Sequence, residues 1–299
     1  MSPSVAGPAF VACALSCLGP AAANSQSLKV DYAISLAGIP LGYADLATTL
    51  EGSKYKMQVG ARLTGLAGML TGGRGAATAA GAIAGTQPVP ATFAVTSRST
   101  SDQRTVRMGL AGGGVSAVEI TPPLDEKLDR VPLKESHKRG VLDPVSALLM
   151  PAASRGSVTD PGNCNRTLPV FDGAARFDVV LSYEQTAQIE KPGYSGPVLV
   201  CTARYVPIAG HRALRPSTQF MEDNRDMRVW LAPLEGSRLL VPLRIAVQTM
   251  VGMSVIEALQ WKVQEDARMV PAANGRRQPA DAVTAGSGLD SPGTPSEAH

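Results

Sequence analysis

The sequence predicts a mainly β protein, built as one strongly curved antiparallel sheet (a half-barrel or β-roll) with one or two short helices. Three observations predict this fold. Apolar and polar residues alternate along most of the chain, as they do in strands with one buried and one solvated face. Turns rich in glycine and proline separate these segments, and helical spacing is confined to short stretches. Because 44% of the residues are hydrophobic and only 4% are aromatic, we expect an aliphatic core.

The first three strands are predicted within residues 28–63. One face of the first strand is formed by Leu28, Val30, Tyr32, Ile34 and Leu36. The segment AGIPLG turns the chain into a second strand over 43–51, and Gly52-Ser53 turns it into a third strand over 54–63. These strands are expected to form a meander with one apolar and one polar face.

The same alternation continues downstream. The further strand segments are, in chain order, TFAVTSRST, RTVRMGL, GGGVSAVEITPP, RFDVVLSYEQTAQI, GPVLVCTARYVPI, DMRVWLAPL, SRLLVPLRIAVQ and MSVIEALQWKV. Two helical turns are predicted. One is VSALLM, with Asp143 as its N-cap and Pro144 in its first turn. The other lies within residues 64–72, for which a coil is the alternative.

Residues 1–23 are predicted to be a secretory signal peptide, because an uncharged apolar run ends in three alanines before Asn24. The alternative, a transmembrane anchor, needs about 20 continuous apolar residues, and glycine and proline interrupt this run. We therefore expect a periplasmic or secreted protein with no transmembrane anchor in the mature chain. Residues 24–267 are expected to form a single β domain, and residues 268–299 a disordered C-terminal tail rich in Ala, Gly, Pro and Ser. The charged run DEKLDRVPLKESHKR is expected to be a loop or linker.

Cleavage of the signal peptide would leave two cysteines, Cys164 and Cys201. Two cysteines in an oxidising compartment are expected to form one disulfide, and the alternative is a pair of buried free thiols. Neither cysteine has a second cysteine or a histidine at ligand spacing, so no metal site is predicted.

The net charge of +3 is too small to predict a nucleic-acid partner. The sequence contains no phosphate-binding, dinucleotide-binding or catalytic-serine motif, so no cofactor is predicted and an enzymatic function is disfavoured. His211, in the segment GHRALRP, is the candidate base of the hydrolase hypothesis.

Several motifs resemble an exported bacterial family known as DUF3108, a domain of unknown function. They are GIPLG at 38–42, DPVSA at 143–147, PVFDG at 169–173, RYVPIAG at 204–210 and VWLAP at 229–233, together with Cys164 and Cys201. The resemblance runs from about residue 28 to about residue 263. The family is similar in outline to carriers that ferry lipoproteins across the periplasm, in which a curved antiparallel sheet wraps an apolar hollow plugged by a helix. The resemblance implies such a fold and carries no reaction.

Two functional hypotheses follow. In the first, the chain is a binding module whose apolar sheet face encloses a lipid or another hydrophobic ligand. The predicted cavity-lining residues are Tyr32, Ile34, Leu46, Tyr55, Met57 and Val59. In the second, the same residues form a filled core, and the protein is a structural or interaction protein that docks on another component of the cell envelope.

A basic cluster is predicted near the end of the RYVPIAG segment. Arg204, His211 and Arg212 are the candidate contacts for an anionic head group or a carboxylate. The alternative is that they are solvent-facing residues paired with nearby acidic side chains.

Overall fold

The structure, a computed structural model, describes residues 25–153 and 156–266, and the strands in these ranges form one 14-stranded antiparallel sheet. The predicted mainly β fold is therefore confirmed. The predicted signal peptide (1–23) and tail (268–299) lie outside the described residues. Within the described ranges, no helix combines the length and the apolar character needed to cross a bilayer.

The strands are long, and most of them join their sequence neighbours through tight turns. Their bounds are β1 Ser25–Leu36, β2 Ile39–Glu51, β3 Lys54–Leu63, β4 Arg74–Ala84, β5 Gln87–Arg98, β6 Gln103–Ala111, β7 Gly114–Thr121, β8 Met150–Pro151, β9 Arg166–Phe171, β10 Arg176–Lys191, β11 Tyr194–Ala209, β12 Met227–Leu234, β13 Leu239–Thr249 and β14 Gly252–Asp266. The helices are α1 Gly65–Thr71 and α2 Pro216–Asp223, with 3-10 turns at Glu135–Lys138, Ser146–Leu148 and Pro161–Asn163.

The sheet joins its first and last strands in its middle. Its order is β7-β6-β5-β4-β3-β2-β1-β14-β13-β12-β11-β10-β9, and β8 pairs with β13. Because neighbouring strands are antiparallel, their turns alternate between two rims. The turns after β1, β5 and β13, together with α1, lie at what we call the Ile39 rim, and the turns after β2, β4 and β6 lie at the opposite Ser53 rim.

The two edge strands, β7 and β9, are linked by an irregular segment rather than by pairing with each other in the described part of the chain. We call this segment, residues 139–142, the strap. On one side, the Gly140 N–H donates to the Gly113 carbonyl at 2.6 Å. On the other, the Leu142 N–H donates to the Pro169 carbonyl at 2.7 Å, and the Leu142 carbonyl accepts from Phe171 N–H at 2.9 Å. The strap therefore occupies backbone groups at both edges of the sheet.

From the strap the chain enters the interior of the sheet. Residues 143–149, which we call the plug, place Val145 and Leu149 in one apolar cluster with residues of both halves of the sheet. Leu149 is fully buried. A second cluster joins Ala147 of the plug to Cys164 and to residues of β11 and β12. The plug thus contributes side chains to both apolar clusters.

The predicted disulfide is confirmed. Cys164 and Cys201 are bonded, with their Cα atoms 5.6 Å apart, so the interpretation as two free thiols is wrong. The bond joins the 3-10 turn before β9 to the middle of β11.

Both predicted helical turns are found, although the one at VSALLM is shorter than predicted. It is a single 3-10 turn, Ser146–Leu148, whereas the turn within 64–72 is α1. The charged run is mostly loop, as expected, with one 3-10 turn at Glu135–Lys138.

Candidate functional site

The carboxylate of Asp143 fixes the backbone of the plug from within, and Ser146 links the plug to the sheet. Its Oδ1 accepts hydrogen bonds from the backbone N–H groups of Val145, at 3.0 Å, and Ser146, at 2.9 Å. Its Oδ2 accepts from the Ser146 hydroxyl. Because Ser146 uses its only hydroxyl proton on Asp143, the Tyr55 hydroxyl donates to Ser146 Oγ, at 2.7 Å. This chain of hydrogen bonds joins the plug to β3.

Burial sets the protonation of this network. Removal from water raises the pKa of the Asp143 carboxyl above its ordinary value, because desolvation outweighs the hydrogen bonds that favour the carboxylate. Burial also raises the pKa of Tyr55 to about 12, against the opposing effect of its bond to Ser146. Neither Asp143 nor Tyr55 lines the apolar pocket that lies between the plug and the strands β4 to β7. We therefore assign both residues a role in positioning the plug.

An apolar pocket of about 340 Å³ lies between the plug and the strands β4 to β7. Its apolar walls come from Ala77, Phe93, Val95, Val106, Ile120, Leu124 and Val145. Ala77, Val95 and Ile120 are only half-buried, so a ligand can reach them from solvent. Small-molecule sites commonly have volumes of about 300 to 1,000 Å³, and this pocket falls at the lower end of that range. We call it the Arg104 pocket.

Arg104 brings a positive charge to this apolar pocket. It is the second residue of β6 and shares a face with Val106 and Met108, which are buried. Its Nε is hidden from solvent and has no hydrogen-bond partner among residues 25–153 and 156–266. A desolvated guanidinium nitrogen without a partner can bind a carboxylate or phosphate oxygen, which would compensate for its desolvation.

Asp172 is the other charged residue of the Arg104 pocket, and one of its carboxylate oxygens is engaged by the backbone. Its Oδ1 accepts from the backbone N–H groups of Ala174, at 2.8 Å, and Ala175, at 2.7 Å. Next to it, Gly173 has a φ of 98° and packs directly against Val106, so the turn after β9 closes one side of the pocket.

A second cavity, of about 390 Å³, lies at the strap. Leu110, Val141, Leu142 and Leu168 contribute to its lining, and so does Arg166. Two nitrogens of Arg166 donate to the backbone: its Nε to the Asn163 carbonyl at 2.9 Å and its Nη1 to the Pro151 carbonyl at 3.0 Å. Its buried Nη2, like the Nε of Arg104, has no partner among the described residues. Because the backbone already fixes two nitrogens of Arg166, we take the Arg104 pocket as the candidate ligand site.

The six side chains predicted to line a cavity all belong to the first three strands of the sheet. Tyr32, Leu46, Tyr55 and Met57 are buried in the main apolar cluster, and the Tyr32 hydroxyl donates to the Pro242 carbonyl at 2.7 Å. Ile34 and Val59 are half-buried. Val59 pairs in register with Ala77, so it is next to the Arg104 pocket. Contact between these six predicted residues and a ligand stays a prediction.

The predicted anionic-group contacts are partly brought together. Arg212 Nε lies 3.0 Å from Asp129 Oδ1, and the hydrogen bond from Arg212 lowers the pKa of Asp129. The backbone carbonyl of the neighbouring His211 accepts from Val131 N–H at 2.9 Å. The buried Nδ1 of the His211 side chain has no partner among the described residues. Arg204 is exposed on β11, where it pairs in register with Val180. Their role as anion contacts stays a prediction.

Arg104 was not among the residues singled out in the sequence, although a signal for it is present. In the segment RTVRMGL the alternation places Arg104 on the same face as Val106, Met108 and Leu110. A charged residue that continues an apolar strand face either ends the buried part of the strand or faces a site.

The described residues thus form an antiparallel β-sheet with the plug packed in its interior. The model of the family "Protein of unknown function (DUF3108)" matches residues 31–258. The chain therefore belongs to this family, in agreement with the resemblance of its motifs.

Comparison with solved structures finds similarity to a beta-barrel-like protein of domain of unknown function DUF1849 from Brucella abortus, with 10% sequence identity and a TM-score of 0.45. The similarity covers 81% of this chain and 98% of that one. Comparison with curated proteins finds no match.

Proposed function

We propose that this protein is an exported binding module for an amphipathic molecule that has an apolar body and an acidic head group. The apolar body would lie against the half-buried walls of the Arg104 pocket, and the head group would accept from the guanidinium of Arg104. The observation that carries this proposal is the buried Nε of Arg104, which has no hydrogen-bond partner in the described part of the chain.

Export is part of the proposal. It is supported by the disulfide between Cys164 and Cys201, because such bonds persist in oxidising compartments such as the periplasm. It is also supported by the apolar run that precedes Asn24 in the sequence.

The experiment is a calorimetric titration with decanoate and with decanol, which share an alkyl chain and differ in charge. We expect decanoate to bind more tightly than decanol to the native protein. Arg104→Gln should weaken decanoate binding about tenfold, since a hydrogen bond to a charged group contributes roughly 1.5 to 3 kcal/mol. Decanol binding should change little.

The matched control is Arg107→Gln. Arg107 lies on the same strand but is exposed and forms an ion pair with the exposed Glu119. Equal losses in Arg104→Gln and Arg107→Gln, or no decanoate binding by the native protein, would refute the proposal.

The second candidate function is a structural or interaction protein of the envelope with a filled core. It is favoured by the nearly complete burial of Tyr55, Met57 and Leu149, which leaves the plugged part of the interior closed. On this hypothesis the protein purifies without a bound lipid, decanoate does not bind, and a protein partner co-purifies with it.

A further inference from the structure

Four of the most exposed apolar side chains lie at one rim of the sheet. Among residues whose side chains are described, six large apolar ones are more than half exposed: Ile39, Met69, Leu128, Leu214, Met250 and Val251. Met69, Met250 and Val251 lie in α1 and the β13–β14 turn of the Ile39 rim, and Ile39 is the first residue of β2 at that rim. Leu128 and Leu214 lie in the loops that follow β7 and β11. At the Ser53 rim the most exposed such side chain is Val89, at 44%. Exposed apolar side chains gathered on one side of a protein indicate a contact surface.

Backbone hydrogen bonds hold the neighbouring elements of this rim together. The Ala37 N–H donates to the Met253 carbonyl at 2.8 Å, which joins the turn carrying Met250 and Val251 to the turn before Ile39. The Thr64 N–H donates to the Leu41 carbonyl at 2.8 Å, which joins β2 to the start of α1. At the other end of α1, Thr100 N–H donates to the Thr71 carbonyl at 2.8 Å. These elements form one continuous stretch from the β13–β14 turn to the β5–β6 turn.

A row of three arginines accompanies this stretch. Arg62 pairs in register with Arg74, and Arg74 pairs with Arg98, so three like charges face the same side of β3, β4 and β5 at the Ile39 rim. Like charges directly opposite each other in a sheet repel unless an anion lies between them.

Among the described residues, carboxylates lie near both ends of this row, but none of them is paired with its arginines. Asp31 and Asp45 line a pocket together with Arg62. Asp102 lies in the β5–β6 turn that follows Arg98. Arg62 stacks over the Tyr43 ring, with 5.9 Å between the guanidinium carbon and the ring centroid, and Arg98 Nε donates to the Gln103 side chain at 2.8 Å. Asp45 is the nearest carboxylate in register, diagonal to Arg62 and opposite Gly60. None of the three arginines forms an ion pair within 4.0 Å in the described ranges.

We propose that this part of the Ile39 rim docks on an anionic lipid surface. The exposed apolar side chains of this rim lie on separate elements. A fluid lipid interface can close around each of them, whereas a rigid protein surface would need a matching pocket for every one. The arginine row would then contact lipid phosphates, as basic clusters beside membrane-inserted residues do. This surface lies outside the Arg104 pocket, and the proposal stands whether or not that pocket binds a ligand.

The test is co-sedimentation of the purified protein with vesicles. We expect binding to vesicles that mix phosphatidylglycerol with phosphatidylcholine, and much weaker binding to pure phosphatidylcholine or at high salt. The double variant Arg74→Gln/Arg98→Gln should lower the partition coefficient about tenfold or more. Met250→Ser/Val251→Ser should lower it by a similar factor, because these apolar side chains no longer enter the interface.

Matched controls lie at the opposite rim. Lys54→Gln/Lys56→Gln removes two exposed charges from β3 at the Ser53 rim, and Val89→Ser removes an exposed apolar side chain there. Both controls should bind as the native protein does. Absence of binding to the anionic vesicles, or equal losses in rim and control variants, would overturn the proposal, and so would equal binding to neutral vesicles.

Discussion

At the residue scale, Asp143 and Arg104 both have apolar surroundings but differ in their hydrogen bonding. Asp143 is fully buried, and its oxygens accept from two backbone N–H groups and one hydroxyl. Arg104 is half-buried, and its Nε has no partner in residues 25–153 and 156–266. A satisfied buried charge holds structure, whereas an unsatisfied one indicates a binding role.

The buried Asp143 should make stability depend on pH. Because its pKa is raised above 3.8 in the folded chain, the folded state holds the proton more tightly than the unfolded state does. The free energy of unfolding should therefore fall as the pH rises from this ordinary value through the raised one. Asp143→Asn should remove this slope, so that the variant gains stability relative to the native protein as the pH approaches neutrality. Urea denaturation at several pH values measures the difference.

The alanine variant separates charge from hydrogen bonding at the same position. Asp143→Ala leaves two backbone N–H groups and the Ser146 hydroxyl without an acceptor, and should be less stable than Asp143→Asn by about 2 to 4 kcal/mol at every pH. If the asparagine variant were as unstable as the alanine variant at neutral pH, burial of the charge would not be the cause.

At the scale of elements, the plug supports the pocket. Val145 of the plug forms one wall of the Arg104 pocket, while Leu149 anchors the plug in the core. Leu149→Ala should lower the free energy of unfolding by about 3 kcal/mol, because it leaves a cavity at a fully buried site. Leu128→Ala, at a fully exposed site, should change it by less than about 0.5 kcal/mol. Chemical denaturation compares the two, and equal effects would show that the plug is not packed as described.

Strands with clear alternation could be predicted from the sequence, whereas β4 could not. Its segment RGAATAAGAIA consists mostly of alanine and glycine, which have low strand propensity and no apolar contrast between faces. It is a strand because β3 and β5 pair with it on both sides. The helix α2 was also missed, because the segment PSTQFMED has little apolar periodicity.

The candidate site was predictable only in part. The apolar face of β1 to β3 is a local pattern and is found. Asp143 accepts from the N–H groups of Val145 and Ser146, as a capping residue does, but the N-cap of the 3-10 turn is Val145 and not the predicted Asp143. The Arg104 pocket depends on long-range placement, since its lining includes Ala77, Arg104, Val145 and Asp172 from four distant segments. The register of the sheet and the path of the strap determine which of these four segments come together. Neither can be predicted from a local sequence pattern.

At the scale of the whole molecule, the two halves of the sheet share one core. The main apolar cluster contains Leu28 and Phe93 from the first half and Val200, Leu243 and Trp261 from the second. We therefore expect a single cooperative unfolding transition.

Two probes test this cooperativity. Both tryptophans, Trp230 and Trp261, lie on strands of the second half, and Trp261 pairs with Val30 of β1. Their fluorescence therefore reports on the second half and its junction with β1, whereas far-ultraviolet circular dichroism reports on all strands. The two transitions should have the same midpoint in urea. A fluorescence midpoint displaced from the dichroism midpoint would mean that the halves unfold separately.

The pairing of β1 with β14 has a consequence for biosynthesis. The partner of the first strand is the last one to be synthesised, since Ser25 lies opposite Asp266 and Leu36 opposite Ser254. A nascent chain, whether it leaves a ribosome or a secretion channel, must keep one side of β1 unpaired until nearly all of the domain has emerged. Among the described strands, the pairing of β1 is therefore complete only after β14 has been released.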